Sequence, residues 1–240
     1  MAERAIGRGA APRTTRRGIP LVHRFDGRER VVHWLFALFF MLLLLSGLGL
    51  WLPPGSNPVL DHREVVRTVH LDAALGLLAT VIPALSRGAA LSTIWRQVQW
   101  FSRDDWVWLR RVLIPKPLRR HPLPPQGRFN AGQKLNTIAI GAATVGFVVT
   151  GALMWQGEHL STSLSEAADT WHLWLMVLVI PLIAGHLILS MLLPSTRPAL
   201  RGILFGSVRA DFALRRHRRW ASVIGVTEAA PESPPDEATA

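Results

Sequence analysis

His172 and His186 stand fourteen positions apart within residues 170–193, a run of twenty-four residues without a charged side chain. In a helix, that spacing leaves their directions only about 40° apart and separates them by about 21 Å along the axis. One helix face then offers an imidazole near each end of the run. Imidazole is a good axial ligand for haem iron, and polar groups inside an apolar span are costly enough to point to function. The two residues are read as serving two stacked b-type haems that share this helix. The plainer reading is a pair of histidines hydrogen-bonded between helices.

Two further histidines begin other apolar runs. His33 opens residues 31–52, which end at Pro53-Pro54, and His70 opens residues 68–86, shortened by Pro83 and with Asp72 close behind. A third run, 135–155, carries Gly141, Gly146 and Gly151, and 170–193 is the fourth. The expected fold is an all-α integral membrane bundle of four transmembrane helices binding two haems. Segments 1–30, 87–128 and 194–240 carry eight, nine and seven lysines and arginines, whereas 53–67 has only Arg63 and Arg67 and 156–169 has none. The positive-inside rule puts both termini and the middle loop in the cytoplasm, with the chain multi-pass in a bacterial inner membrane.

That topology sorts the histidines by depth. His70 and His172 belong near the outer face, His33 and His186 towards the inner one. Each pair is expected to take one haem iron from opposite sides, which leaves no open coordination site and suits electron transfer. For the inner pair to meet, the fourth helix must extend past the membrane boundary or the first must tilt. Small residues near these ligands, Gly47, Gly49, Gly76 and Gly185, would let a porphyrin plane approach the backbone. His23, His62, His121, His159 and His217 are assigned to solvated surface.

The composition fits a membrane protein. The 240 residues are 49% hydrophobic with a formal charge of +11, but the charges stand in blocks between apolar runs. That pattern points to membrane lipid and away from nucleic acid. Cysteine is absent, which excludes disulfides, cysteine-bound iron–sulfur clusters and c-type haem attachment within this chain. Many of the ten tryptophans lie at the ends of the apolar runs, as in an aromatic belt. Residues 1–21 read as a disordered basic tail, and Arg16–Arg17 lacks the apolar run and cleavage site of a twin-arginine signal. Residues 103–114 read as an interfacial helix, 208–220 as a basic amphipathic segment facing anionic lipid or a subunit, and 221–240 as a disordered tail. The membrane domain is 22–220.

Four pieces of the chain resemble the gamma subunit, a cytochrome b, of membrane-bound respiratory formate dehydrogenase. They are R-F-D-G-R-E-R-V-V-H-W before and into the first span, R-F-N-A-G-Q-K before the third, V-T-G-A-L-M-W at its end, and the fourth span with R-G-I-L-F-G-S-V-R-A-D-F-A-L-R-R-H-R-R-W after it. The resemblance implies a molybdenum or tungsten catalytic alpha subunit that oxidises formate on the periplasmic side. It also implies an iron–sulfur beta subunit that feeds the outer haem, and reduction of a quinone (menaquinone or ubiquinone) beside the inner one. It carries over His33, His70, His172 and His186 as haem ligands, and Asn130, Gly132 and Gln133, with His186, as the quinone site. By their types alone, these last residues start a helix with Asn130 as its cap. A di-haem cytochrome b of a nickel–iron hydrogenase or other periplasmic oxidoreductase, and a haem-free anchor or transporter, are the alternatives.

Overall fold

The computed structural model describes residues 14–15, 18–53, 57 and 60–226. Four long helices make the bundle: α1 (Gly27–Trp51), α2 (Arg63–Ala84), α5 (Ala131–Trp155) and α6 (Thr162–Leu187). All four are long and apolar enough to cross a membrane, α6 being continued by a π-helical turn to Leu192. Only 11–17% of each apolar window is buried inside the protein, so most of its side chains face outward, as lipid contact requires. The helices form two antiparallel hairpins, α1–α2 and α5–α6, with extensive backbone contact within each and sparse contact between them.

Local chemistry explains where the helices start. Asp26 and Glu29 form a capping box at α1, each side chain taking the other's backbone N–H, at 2.8 and 3.0 Å. Asn130 and Gln133 do the same at α5, at 2.9 and 3.0 Å. These two caps lie outside the apolar runs, so α1 and α5 each begin four residues before the expected spans; α2 and α6, which have no side-chain cap, begin five and eight residues before theirs. His33 therefore lies six residues inside α1, and His186 lies six residues before the end of the π-helical turn at Leu192, so the two stand at matching distances from that end of the bundle.

The starts of α1 and α5 and the ends of α2 and α6 share one end of the bundle, together with the basic segments. Two short helices, α3 (Ala90–Val98) and α4 (Arg103–Val112), pack there against α1 and α5. α4 is the helix expected at 103–114, and its Trp108 fills the space where a Cβ on Gly132 would stand, at 3.3 Å. The C-terminal segment does more than lie on a surface. After α7 (Leu200–Phe205), strand β2 (Ser207–Arg209) pairs antiparallel with β1 (Leu21–His23), and α8 (Ala210–Arg216) and α9 (Arg218–Val223) follow. Val208, Phe212, Ala213, Trp220 and Ala221 form a small buried core, with Val22, Ile224 and Val226 against it. The chain is thus packed through Val226; the tails 1–13 and 227–240 lie outside the described residues. Gly206 makes the turn from α7 to β2 at φ +81°, and a Cβ there would meet the Phe25 carbonyl at 2.9 Å. Its own carbonyl accepts from the backbone N–H groups of Arg24 and Phe25.

Candidate functional site

The four histidines of the apolar helices meet as two pairs. His33 on α1 faces His186 on α6 with ring centroids 6.5 Å apart, and His70 on α2 faces His172 on α6 at 6.4 Å. Each pair bridges the two hairpins where backbone contact is sparse. Fourteen residues of α6 separate the two levels, about 21 Å at helical rise. On α1 the levels are marked by His33 and by Ser46, whose hydroxyl lies 2.8 Å from His70 Nδ1, and thirteen residues give nearly the same separation.

Midway between the pairs is an apolar layer. Val179, seven residues from each histidine of α6, is fully buried with Phe40, Ile140 and Ala143. Phe36 stacks on Phe40, Phe40 meets Phe147 edge to face, and Phe147 meets His172 at 5.0 Å between centroids.

A haem fits this donor set. Metal–imidazole bonds run about 2 Å, and in a five-membered ring with bonds of about 1.35 Å each nitrogen is about 1.15 Å from the centroid. Two rings binding one metal from opposite sides should therefore have centroids about 6.3 Å apart, close to both observed separations. Among the described residues no group of three or more His, Cys, Asp or Glu could hold a metal ion. Two axial imidazoles suit a metal whose other ligands come with it, as in a porphyrin.

At the basic end, polar groups tie the starts of the two hairpins together. Arg24 donates to the Arg128 carbonyl at 2.7 Å, and Arg128 donates back to the Arg24 carbonyl. Arg128 also pairs with the buried Glu29 at 2.5 Å. Arg24 reaches Gln133 Oε1 at 3.4 Å, and its Nε and Nη1 have no hydrogen-bond partner among the described residues. Burial, then the charge of Arg128, pushes Arg24 down to about 9, which leaves it charged at neutral pH. Asn130, Gly132 and Gln133 thus sit at the start of α5, at the same end of the bundle as His186. The side-chain oxygens of Asn130 and Gln133 are engaged in the capping box, which leaves their amide N–H groups as the donors available to a ligand.

His217 corrects the assignment to solvated surface. It is 1% exposed, and its Nδ1 lies 2.8 Å from the Gly127 carbonyl. The buried group formed by Arg24, Glu29, Gln126, Arg128 and His217 escaped sequence reading because its members lie in charged segments and are covered only when the C-terminal helices fold over them. Of the glycines expected near ligands, Gly47 does lie against His70, but Gly76 accommodates Phe39 between α1 and α2, and Gly185 has open space. Gly151, not among them, lies against His172.

Four apolar helices with histidine pairs between them define a helical membrane protein built to hold a planar metal cofactor. The chain belongs to the prokaryotic cytochrome b561 family, whose model matches residues 24–206. Membership of a cytochrome b family carries haem b binding with it. Over 203 residues the chain is 26% identical to the formate dehydrogenase cytochrome b556(fdo) subunit of Escherichia coli K12, covering 82% of this chain and 90% of that one. It is 21% identical over 196 residues to the formate dehydrogenase cytochrome b556 subunit of Haemophilus influenzae, covering 80% and 78%. To the nitrate-inducible cytochrome b556(Fdn) subunit of E. coli K12 it is 20% identical over 210 residues, covering 85% and 92%.

Proposed function

We propose that this chain is the cytochrome b subunit of a respiratory formate dehydrogenase. It would carry electrons from an iron–sulfur beta subunit across the inner membrane to a quinone, with formate oxidised on a molybdenum or tungsten alpha subunit. The observation that carries this is the meeting of four histidines in two pairs at iron-bridging separation, in a chain similar to formate dehydrogenase cytochrome b subunits over four fifths of its length.

His70 and His172 hold the haem at the outer level, and His33 and His186 the one at the inner level. Bound there, haem iron takes up and gives out one electron at a time. Two histidines at each level would hold the metal between them and would leave oxygen and other small ligands no place on it. The apolar layer of Phe40, Ile140, Ala143 and Val179 excludes water between the levels. Asn130 and Gln133 orient the quinone head group by donating from their amide nitrogens, and His186 lies at the same end. Protons for quinone reduction come from the cytoplasm, to which the basic end belongs.

The test is a reduced-minus-oxidised spectrum of the purified complex, with a haem assay. Two low-spin b haems per chain are expected, with one lost in His70→Ala or His172→Ala and the other in His33→Ala or His186→Ala. A His70→Ala protein with its full haem content and an unaltered spectrum would overturn the pairing. Formate-reducible haem and co-purifying iron–sulfur and molybdenum or tungsten subunits are expected. Co-purification with a hydrogenase instead would overturn the choice of complex.

A further inference from the structure

The His70–His172 pair has a second set of contacts that, among the described residues, the His33–His186 pair lacks. Ser46 Oγ on α1 is 2.8 Å from His70 Nδ1, and Thr150 Oγ1 on α5 is 2.8 Å from His172 Nδ1. Each hydroxyl also reaches the carbonyl four residues back in its own helix, Ser46 that of Leu42 at 2.6 Å and Thr150 that of Gly146 at 2.8 Å. A hydroxyl has one proton, and this back-bonding is its usual use inside a helix. With that proton on the carbonyl, the oxygen can only accept from the imidazole. Nδ1 then carries its ring's proton, and Nε2 presents a lone pair.

The next residue on each side is glycine. A Cβ on Gly47 would come within 3.3 Å of His70 Cε1, and one on Gly151 within 3.5 Å of His172 Cε1. The two hairpins thus build the same device twice, a hydroxyl–glycine step near the end of the first helix receiving a histidine from the first half of the second. Among the described residues no hydrogen bond reaches the ring nitrogens of His33 or His186.

We infer that Ser46 and Thr150 are positioning residues for the axial ligands at the outer level, fixing their tautomer and orientation and lowering the reduction potential there relative to the inner level. The inference rests on the reading of His70 and His172 as haem ligands. A hydrogen bond accepted from Nδ1–H makes an imidazole a stronger electron donor through Nε2. A stronger donor stabilises the oxidised iron, so the potential falls. Two such bonds at one level and none at the other set a gradient, and electrons entering at the outer level run downhill to the inner one.

The experiment is a potentiometric titration of haem absorbance in membranes carrying the full complex, with the ferric low-spin EPR signals recorded alongside. His70→Ala identifies the outer component as the one it removes. Ser46→Ala and the near-isosteric Thr150→Val should each move that component's midpoint to a more positive value and alter its EPR signal. The double variant should move it further, and the other component should stay in place. Thr150→Ser, which keeps the hydroxyl, should restore the wild-type value. An unmoved midpoint in both Ser46→Ala and Thr150→Val, or a shift confined to the component lost in His33→Ala, overturns the inference while leaving the ligand pairing intact. If a hydroxyl-free variant loses the component outright, Thr150→Ser decides: retention supports the hydroxyl's role and loss overturns it. If His70→Ala removes no component, the ligand reading fails and the inference with it.

Discussion

His217 stays neutral in the folded chain. Burial, then the charge of Arg24, pushes its imidazole down to about 3, against the opposing pull of the Gly127 carbonyl; Arg216 adds a weaker push downward. In the unfolded chain a histidine takes up its proton near pH 6.5. Between about 6.5 and 3 the unfolded state therefore binds a proton that the folded state refuses, and stability falls as pH falls through that window. Above it both states are neutral and the effect vanishes. Hydrogen exchange across 207–226, corrected for intrinsic rates, should speed up between pH 7 and 5. His217→Gln, which can still donate to Gly127 but gains no proton, should lose most of that dependence. The same pH response in the variant would assign it to another group.

The helices show how one residue type serves two ends. Asn130 caps α5, so a variant that cannot hydrogen-bond removes the cap, at about 1 kcal/mol, along with any ligand contact. Asn130→Asp separates the two. Its carboxylate still accepts from the Gln133 N–H, but it offers no amide donor. We expect intact haem bands, full reduction by formate and a sharp fall in quinone reduction. Normal turnover would leave Asn130 as a cap alone. The hairpins make a second prediction, because a Cβ on Gly76 would stand 2.4 Å from the Phe39 ring whereas one on Gly141 meets nothing within 4 Å. Gly76→Ala should destabilise the haem-loaded protein by about 1–3 kcal/mol through overpacking. Gly141→Ala should be neutral or better in a helix interior. Thermal loss of the haem spectrum in detergent distinguishes them, and equal midpoints would mean that α1 and α2 separate freely.

Across the whole molecule, charge is sorted towards one end. The basic segments gather at the end that holds His33, His186 and the start of α5, and the opposite loop, 156–169, carries only acids. On the proposed function, which puts that basic end in the cytoplasm, electrons would enter outside and protons would be taken up inside. Each charge that crosses works against about 2.3 kcal/mol per 100 mV. Reporter fusions after Val226 and within 156–161 should fall on opposite sides of the membrane, the first cytoplasmic. Formate-driven quinone reduction in sealed vesicles should build a potential that an uncoupler abolishes and that in turn slows the reaction. Turnover indifferent to an uncoupler would place proton uptake on the outer side.

The four spans and the positions of their histidines could be read from the chain because each depends on local order: apolar runs long enough to cross a bilayer, and the charged segments between them. The helix starts were less legible. Asp26 and Asn130 cap α1 and α5 from polar segments outside the apolar runs, and hydropathy stops where capping continues. What no one-dimensional pattern holds is which distant groups touch. Ser46 and Thr150 read as ordinary small residues of apolar helices until α2 and α6 bring His70 and His172 within 2.8 Å of their hydroxyls. His217 reads as solvated surface until β1 and β2 pair and Trp220 packs against it, and burial then changes its chemistry. Sequence by itself determined the bundle and its histidines, because hydrophobic length and charge act on each segment independently. Tertiary structure alone decided the hydroxyl–imidazole contacts, the glycine contacts and the arginine network, because each of these depends on contacts between residues far apart in the chain.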